Sequence, residues 1–306
     1  MMMKKRVDLS RPIVEGMSVY PGDPLFQARA FADHRVDGFR GTKLTFGTHL
    51  GTHIDVPYHY FVDGETLDVF PVDFFFGSGA VIDVLSLIGP DSERFARREP
   101  GRPAALTVAD LEPFESIFES VPFVFLRSGW SPRFGTADFY TDFPSLTPEL
   151  CDWLVDFPKL RALGLETPSL VSFPTSGCDL ADTSARRSPF DAELTEFLSR
   201  QERVDEKLPD VQENSDAEPL DELELCADAE CHRILLGRRP PVLIVEGLVN
   251  LDALPSYDPE DAVSNRVELD SQRAFDVVCL PLPIVGVDGC PVRVVATVGE
   301  SRRGGE

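Results

Sequence analysis

Positive charge is scarce in this chain: 29 Lys and Arg stand against 52 Asp and Glu, a formal net charge of -23. A surface of that sign repels nucleic acid and anionic membranes, which excludes both as partners. Lysine is the scarcer base, with five residues against 24 arginines. That balance suits either a high-salt cytoplasm or an arginine-biased genome. Long apolar runs are missing too. The nearest, FPVDFFFGSGAVIDVLSLIG, is interrupted by Asp73 and Asp83 and reads as a core strand segment, not a membrane span. The opening MMMKKRVDLSRP has positive charge with no apolar stretch behind it. It does not read as a signal peptide, and a cytoplasmic location is expected. Six cysteines in 306 residues fall short of a secreted disulfide scaffold and predict buried free thiols. Cys226 and Cys231 precede His232, but their spacing matches no standard thiolate zinc motif.

What remains is a chain long enough to bury a substantial core. Strand and helix signals alternate, with strands in the majority. SGAVIDVLSL and PFVFLRSGW are β-branched or aromatic strand candidates. SLTPELCDWLVDF predicts a helix capped by Thr147, with Pro148 at its first position and Glu149 in its first turn. Near the C-terminal end, a helix carrying Ile234, Leu235 and Leu236 closes at Gly237. A buried strand, PVLIVEG, follows with Glu246 at its far end. The last strands read as a pair joined through Asp288-Gly289. Residues 177–228 differ. Ser188 and Pro189 open a helical pattern, after which apolar periodicity is lost. Residues 201–230 carry twelve acids against two bases. This predicts an acidic surface insertion within a single domain spanning 1–306.

Histidine is scarce as well. Five occur, and three of them, His49, His53 and His59, fall in THLGTHIDVPYHYF together with Asp55. All four positions are odd-numbered, so on a strand they share one face, backed by Leu50, Ile54 and Val56. Pro57 and the β-branched content favour strand over helix. On a straight strand His49 and His53 would lie about 13 Å apart, where one ion could barely reach both, so a bend at Gly51 is expected. Two imidazoles and a carboxylate suit Zn²⁺, and also Mn²⁺ or Fe²⁺. Such an ion keeps a position for water and lowers its pKa. His59 is then the candidate proton carrier. His34 lacks such company and reads as a surface residue.

HLGTHIDVPYHY fills every fixed place of H-x-G-T-H-x-D-x-P-x-H. It resembles the signature of the metal-dependent cyclase-like hydrolases, the family that includes bacterial kynurenine formamidase. DLSRPIVEGMSVYPGDPLF, LRSGW, GLETPSL, EGLVNLDALP and VDGCPVRVVA resemble further blocks. The resemblance implies an α/β fold with a mixed, barrel-like β core and flanking helices, assembled as a homodimer or homotetramer. It implies hydrolysis of a C–N bond in a small amide, with N-formylkynurenine first and isatin-like cyclic amides second. A non-catalytic metalloprotein of the same fold is the alternative. By the same resemblance His49, His53 and Asp55 bind one ion. Asp55 can bridge to a second, His232 and Glu246 are the second ion's ligands, and His59 is the catalytic acid/base. Glu166 and Ser128 depart from the family pattern, where Asp and Thr are usual. The GDP turn at 22–24, Trp130 and Phe74 to Phe76 are candidates for an aromatic pocket, with plain core packing the alternative for the phenylalanines.

Overall fold

The computed structural model describes residues 4–99, 102–136, 138–172, 227–262 and 266–299. Eight strands build the main sheet: β1 (Lys4–Asp8), β2 (His53–Asp55), β3 (Phe76–Asp83), β4 (Phe123–Arg127), β5 (Ala162–Leu165), β6 (Leu243–Glu246), β7 (Phe275–Pro281) and β8 (Gly289–Gly299). A ninth, short strand, Ser256–Tyr257, adds to β3. The hydrogen-bonded order runs β8–β7–β3–β4–β5–β6–β2 and returns to β8, closing a seven-strand barrel with β1 attached outside along β8. The neighbours β3, β4, β5 and β6 are parallel, as is the short Ser256–Tyr257 strand on β3, and the remaining pairs are antiparallel. This is the mixed barrel-like α/β core that the resemblance implies.

The parallel strands explain their own composition. Residues of β4 and β6 such as Val124, Phe125, Leu243, Ile244 and Val245 are fully buried, as strands covered on both faces must be. Two helices, α1 (Pro148–Leu154) and α2 (Ala227–Gly237), pack against each other on the outside. The start of α1 is the predicted one: Thr147 accepts the Leu150 N–H at 3.2 Å, with Pro148 next. The strand PVLIVEG and the helix ending at Gly237 are also where the sequence puts them.

Three expectations differ in detail. The SGAVIDVLSL strand stops at Asp83, because its carboxylate accepts the Leu85 N–H at 3.0 Å and turns the chain into a short helix at Leu85–Ile88. The closing strands are not joined by a tight Asp288-Gly289 turn. β7 and β8 pair from Pro281 against Val292, so residues 282–288 form a longer loop. The strand reading of THLGTHIDVPYHYF and its approach holds only in pieces. Gly41–Thr45 belongs to a separate ribbon with Gln27–Ala32, β2 keeps three residues, and Pro57–His59 is a single 3₁₀ turn. The acidic segment, the helix expected after Ser188 and Cys226 lie outside the described residues. β5 and β6, on either side of that segment, are direct neighbours in the barrel.

Candidate metal centre

The site is built where β2 meets the ends of β6 and β8. In the antiparallel β2–β6 pair His53 stands opposite Glu246, and directly opposed residues put their side chains on the same face. Asp55 shares that face two residues on, while Ile54 points the other way into the core. The predicted bend before β2 is present. Gly51 takes φ +67°, and Gly247 takes φ +68° with its Cα so close to the Gly51 carbonyl that a Cβ would sit 2.5 Å from it. Both positions require glycine. Thr52 fastens the crossing, its hydroxyl donating to the Gly247 carbonyl at 2.7 Å.

From α2, His232 enters the same space. The four donor groups converge. His53 Nε2 lies 3.4 Å from Asp55 Oδ1 and 3.4 Å from Glu246 Oε2; His232 Nε2 lies 3.7 Å from Asp55 Oδ2 and 3.5 Å from Glu246 Oε1. A tetrahedral ion with bonds of about 2.1 Å holds its ligand atoms about 3.4 Å apart; His53, Asp55 and Glu246 each offer one atom within 4.8 Å of the others, which suits a divalent cation, and His232 faces the remaining oxygens. Tautomers fit as well. His53 Nδ1 lies 3.2 Å from the Gly51 carbonyl and His232 Nδ1 2.7 Å from the Asp228 carbonyl. A carbonyl only accepts, so each Nδ1 carries its proton, and once the ring is neutral each Nε2 presents a lone pair to the gap. Glu246 Oε1 is buried and has no hydrogen-bond partner. A buried carboxylate oxygen left this way is costly unless a cation meets it.

His49 sits differently from the other two imidazoles. Its Nδ1 is 2.7 Å from Asp55 Oδ1 and its Nε2 is 2.9 Å from Asp288 Oδ2. His59 follows one turn after β2, with Nδ1 3.2 Å from the same Asp288 oxygen and its ring 4.0 Å from that of His49. All six predicted residues therefore border one cavity of about 260 Å³. His34, by contrast, lies on the exposed surface.

Electrostatics follow from this crowding. Burial alone would lower His49, but Asp55 and Asp288 outweigh it and push it up to about 11. His232 behaves alike: burial opposes its charge, while Glu246, Asp228 and Asp55 raise it to about 9. Asp55 and Asp288 are held well below the usual carboxylate range. For both, burial works the other way and the facing histidines prevail. Without an ion, protons on the histidines neutralise the carboxylates. Ion uptake must displace protons, so affinity is expected to rise with pH until His232 is neutral near pH 9. The sign for folding is the complementary one. A histidine pKa raised above its unfolded value of about 6.5 stabilises fully below that pH and ceases to as pH rises through about 9. The Tm gap between Zn²⁺-loaded and chelator-treated protein should therefore widen from pH 6 to pH 9. A gap that narrows would contradict the exchange of ion for proton.

Sequence reading missed three contributors. Asp288 joins His49 to His59 and is itself held by the Thr48 hydroxyl at 2.9 Å. Asp228 accepts from Ser169 Oγ at 2.9 Å and from the Val171 N–H at 2.8 Å, locking the first turn of α2. The sequence reading left it at the end of the acidic segment, and its place four residues before His232 was the available signal. Tyr60 stacks on the His232 ring at 4.6 Å. The aromatic lining is also not the one expected. Tyr20, Tyr60, Phe134, Phe139 and Tyr140 line the cavity with Asp23 of the GDP turn, whereas Trp130 and Phe74 to Phe76 do not. Trp130 and Phe75 are core. Glu166 is buried under the loop after β4, accepting the Gly129 N–H at 2.5 Å, and burial raises its pKa.

Known proteins resemble this chain over both its parts. A kynurenine formamidase of Bacillus cytotoxicus is 27% identical over 168 residues, covering 54% of this chain and 69% of that protein. One from Geobacillus thermodenitrificans is 22% identical over 294 residues, 95% of this chain and 97% of the other. Among solved structures, isatin hydrolase A from Labrenzia aggregata superposes with a TM-score of 0.62 at 21% identity, covering 97% of this chain and 94% of its own. At that identity the likeness is one of fold. The family described as putative cyclase matches residues 7–170. That span is more than half of the 306 residues, and the chain belongs to the cyclase family.

Proposed function

We propose that this protein is a metal-dependent amidohydrolase cleaving the C–N bond of a small aromatic amide, in the manner of the kynurenine formamidases it is similar to. The observation that carries the reading is the buried group of His53, Asp55 and Glu246, whose ligand atoms lie within 4.8 Å of one another, with His232 Nε2 3.7 Å and 3.5 Å from the other oxygens of the two carboxylates. Asp55 carries both oxygens into this gap and also meets His49, so His49 with Asp55 offers a place for a second ion. Zn²⁺ is the ion this donor set suits best, with Mn²⁺ or Fe²⁺ next. A bound ion of this kind supplies polarisation of the amide carbonyl and lowers the pKa of water.

The chain's own residues supply the rest. Asp288 fixes the Nδ1 side of His59, which leaves Nε2 to exchange a proton with the substrate. His59 would take a proton from the water whose oxygen bonds to the amide carbonyl carbon, and would pass it to the departing nitrogen as the C–N bond breaks. Tyr60 and the Asp228 carbonyl hold His232 in place. The aromatic walls formed by Tyr20, Phe134, Phe139 and Tyr140 exclude water around an aromatic amide. We place this chemistry in one cyclase-like domain that carries the acidic segment, working in the cytoplasm as a homodimer or homotetramer.

A panel of aryl formamides and cyclic amides, assayed with and without chelator, tests the reading. Turnover should vanish with chelation and return with Zn²⁺. N-formylkynurenine leads the panel, and isatin represents the cyclic alternative. Turnover that is indifferent to chelation, or absent across the panel in Zn²⁺-loaded protein, overturns it.

A further inference from the structure

The cavity holds one Arg or Lys among its described lining residues, Arg11, against the carboxylates of Asp23, Asp55, Asp228 and Glu246. Its backbone is tied beside the metal centre, the Arg11 N–H donating to Thr52 Oγ1 at 2.8 Å. The side chain turns away across the cavity wall. Its guanidinium carbon lies 3.9 Å from the centre of the Phe134 ring and 5.6 Å from that of Phe139. Five N–H donors sit on that group. Among the described residues they find only the carbonyl and hydroxyl of Ser131, both at 3.5 Å, the outer limit of hydrogen bonding. No carboxylate of the described residues comes within ion-pair distance; Glu166 acts on Arg11 only from further away.

The group is half-buried. Burial lowers its pKa to about 10, so it stays charged at neutral pH. A partly desolvated cation with most donors unfilled is unfavourable unless something arrives to fill them. A planar fork stacked on an aromatic ring matches a carboxylate in two parallel hydrogen bonds. The acids around the metal centre repel a ligand anion elsewhere on the cavity wall, the bound ion itself excepted.

We propose that Arg11 is a specificity residue that receives a carboxylate carried by the substrate, so that the amide cleaved here belongs to an aromatic acid rather than to a neutral aromatic. The proposal rests on the amidohydrolase reading for its chemistry but not for its binding, and the two are separable by experiment.

Calorimetric titration of 2-aminobenzoate and 2-aminobenzamide into wild type, Arg11→Met and Arg11→Lys gives the binding arm, each with Zn²⁺ and after chelation. Wild type should favour the acid by about 30-fold or more in both states. Arg11→Met should bring the ratio to within about 3-fold. Arg11→Lys, which keeps the charge and loses the fork, should fall between, and it carries the test if the methionine variant does not fold. A preference that survives in Arg11→Met, or that disappears on chelation, places the carboxylate on the ion and overturns the proposal. The kinetic arm compares kcat/KM for 2-formamidobenzoate and 2-formamidobenzamide. Equal turnover of both, with a ratio unmoved by Arg11→Met, also overturns it while the amidohydrolase reading stands. No turnover of either, with the binding preference intact and lost in Arg11→Met, overturns the hydrolase reading and leaves Arg11 as an anion reader.

Discussion

Replacing His59 with alanine should lower kcat by about 10²–10⁴-fold while the protein keeps its full complement of metal. The expectation comes from how His59 differs from its neighbours. His53 and His232 each spend Nδ1 on a backbone carbonyl and aim Nε2 at the buried carboxylates. His59 spends Nδ1 on Asp288, and its Nε2 has no hydrogen bond among the described residues. It is also more exposed: its side chain retains 29% of its accessibility, against 6% and 3% for His53 and His232. A ligand gains from burial, whereas a proton carrier must meet substrate and solvent in turn. Metal analysis and steady-state kinetics on the same sample decide the matter. If His59→Ala loses metal in step with activity, His59 is a ligand beside His49 and Asp55, whose donor atoms lie close enough to its own to allow that. Asp288→Asn gives an internal control. It weakens the hold on both His49 and His59 and should cost about 10–100-fold, the range for partners that orient a functional histidine.

The candidate site was legible because its densest part is contiguous. Residues 49–59 carry three histidines, an aspartate and the glycine that bends them together, and no tertiary information is needed to see that they belong to one site. The strand reading of that stretch was right about the face and wrong about the extent. His53 and Asp55 do share the side of β2 that meets Glu246. His49 reaches the cavity from the loop before the Gly51 bend, and His59 from the turn after Pro57. Glu246 was visible as the charged end of an apolar strand, and His232 as a residue on a capped amphipathic segment. Their register with β2 was not visible, because it depends on barrel closure between strands nearly 200 residues apart. Asp288 was hidden for a similar reason. In sequence Asp-Gly signals a hairpin turn, and only the pairing of β8 with β2 delivers that aspartate to two histidines some 230 residues upstream. Arg11 and the aromatic walls were hidden because loop-borne side chains follow no periodicity. The phenylalanine run at 74–76 drew the eye to the wrong place: it supplies a buried core residue, Phe75, and an outward-facing one, Phe76.

Glu246→Gln should reduce metal affinity by more than about 100-fold, a loss larger than that expected for a residue that only supports a ligand. The change keeps size and shape, so it isolates charge. Glu246, like Asp55, faces His53 Nε2 and His232 Nε2 with separate oxygens, and it differs in having a buried oxygen without a hydrogen bond. Exchanging that oxygen for an amide nitrogen, or for a neutral carbonyl, removes the negative charge that a divalent ion requires in so dry a place. Thermal melts should express the same loss. Zn²⁺ at 100 times its Kd adds about 2.7 kcal/mol to the stability of a protein that binds it only when folded. Wild type should therefore melt several degrees higher with Zn²⁺ than after chelation, and Glu246→Gln should melt at nearly one temperature in both. Activity should track occupancy, recovering in part when Zn²⁺ is raised far above the wild-type requirement. A Glu246→Gln protein that holds stoichiometric Zn²⁺ through dialysis would show that the gap between β2, β6 and α2 is spanned by protons and hydrogen bonds alone, and that the ion sits with His49 instead.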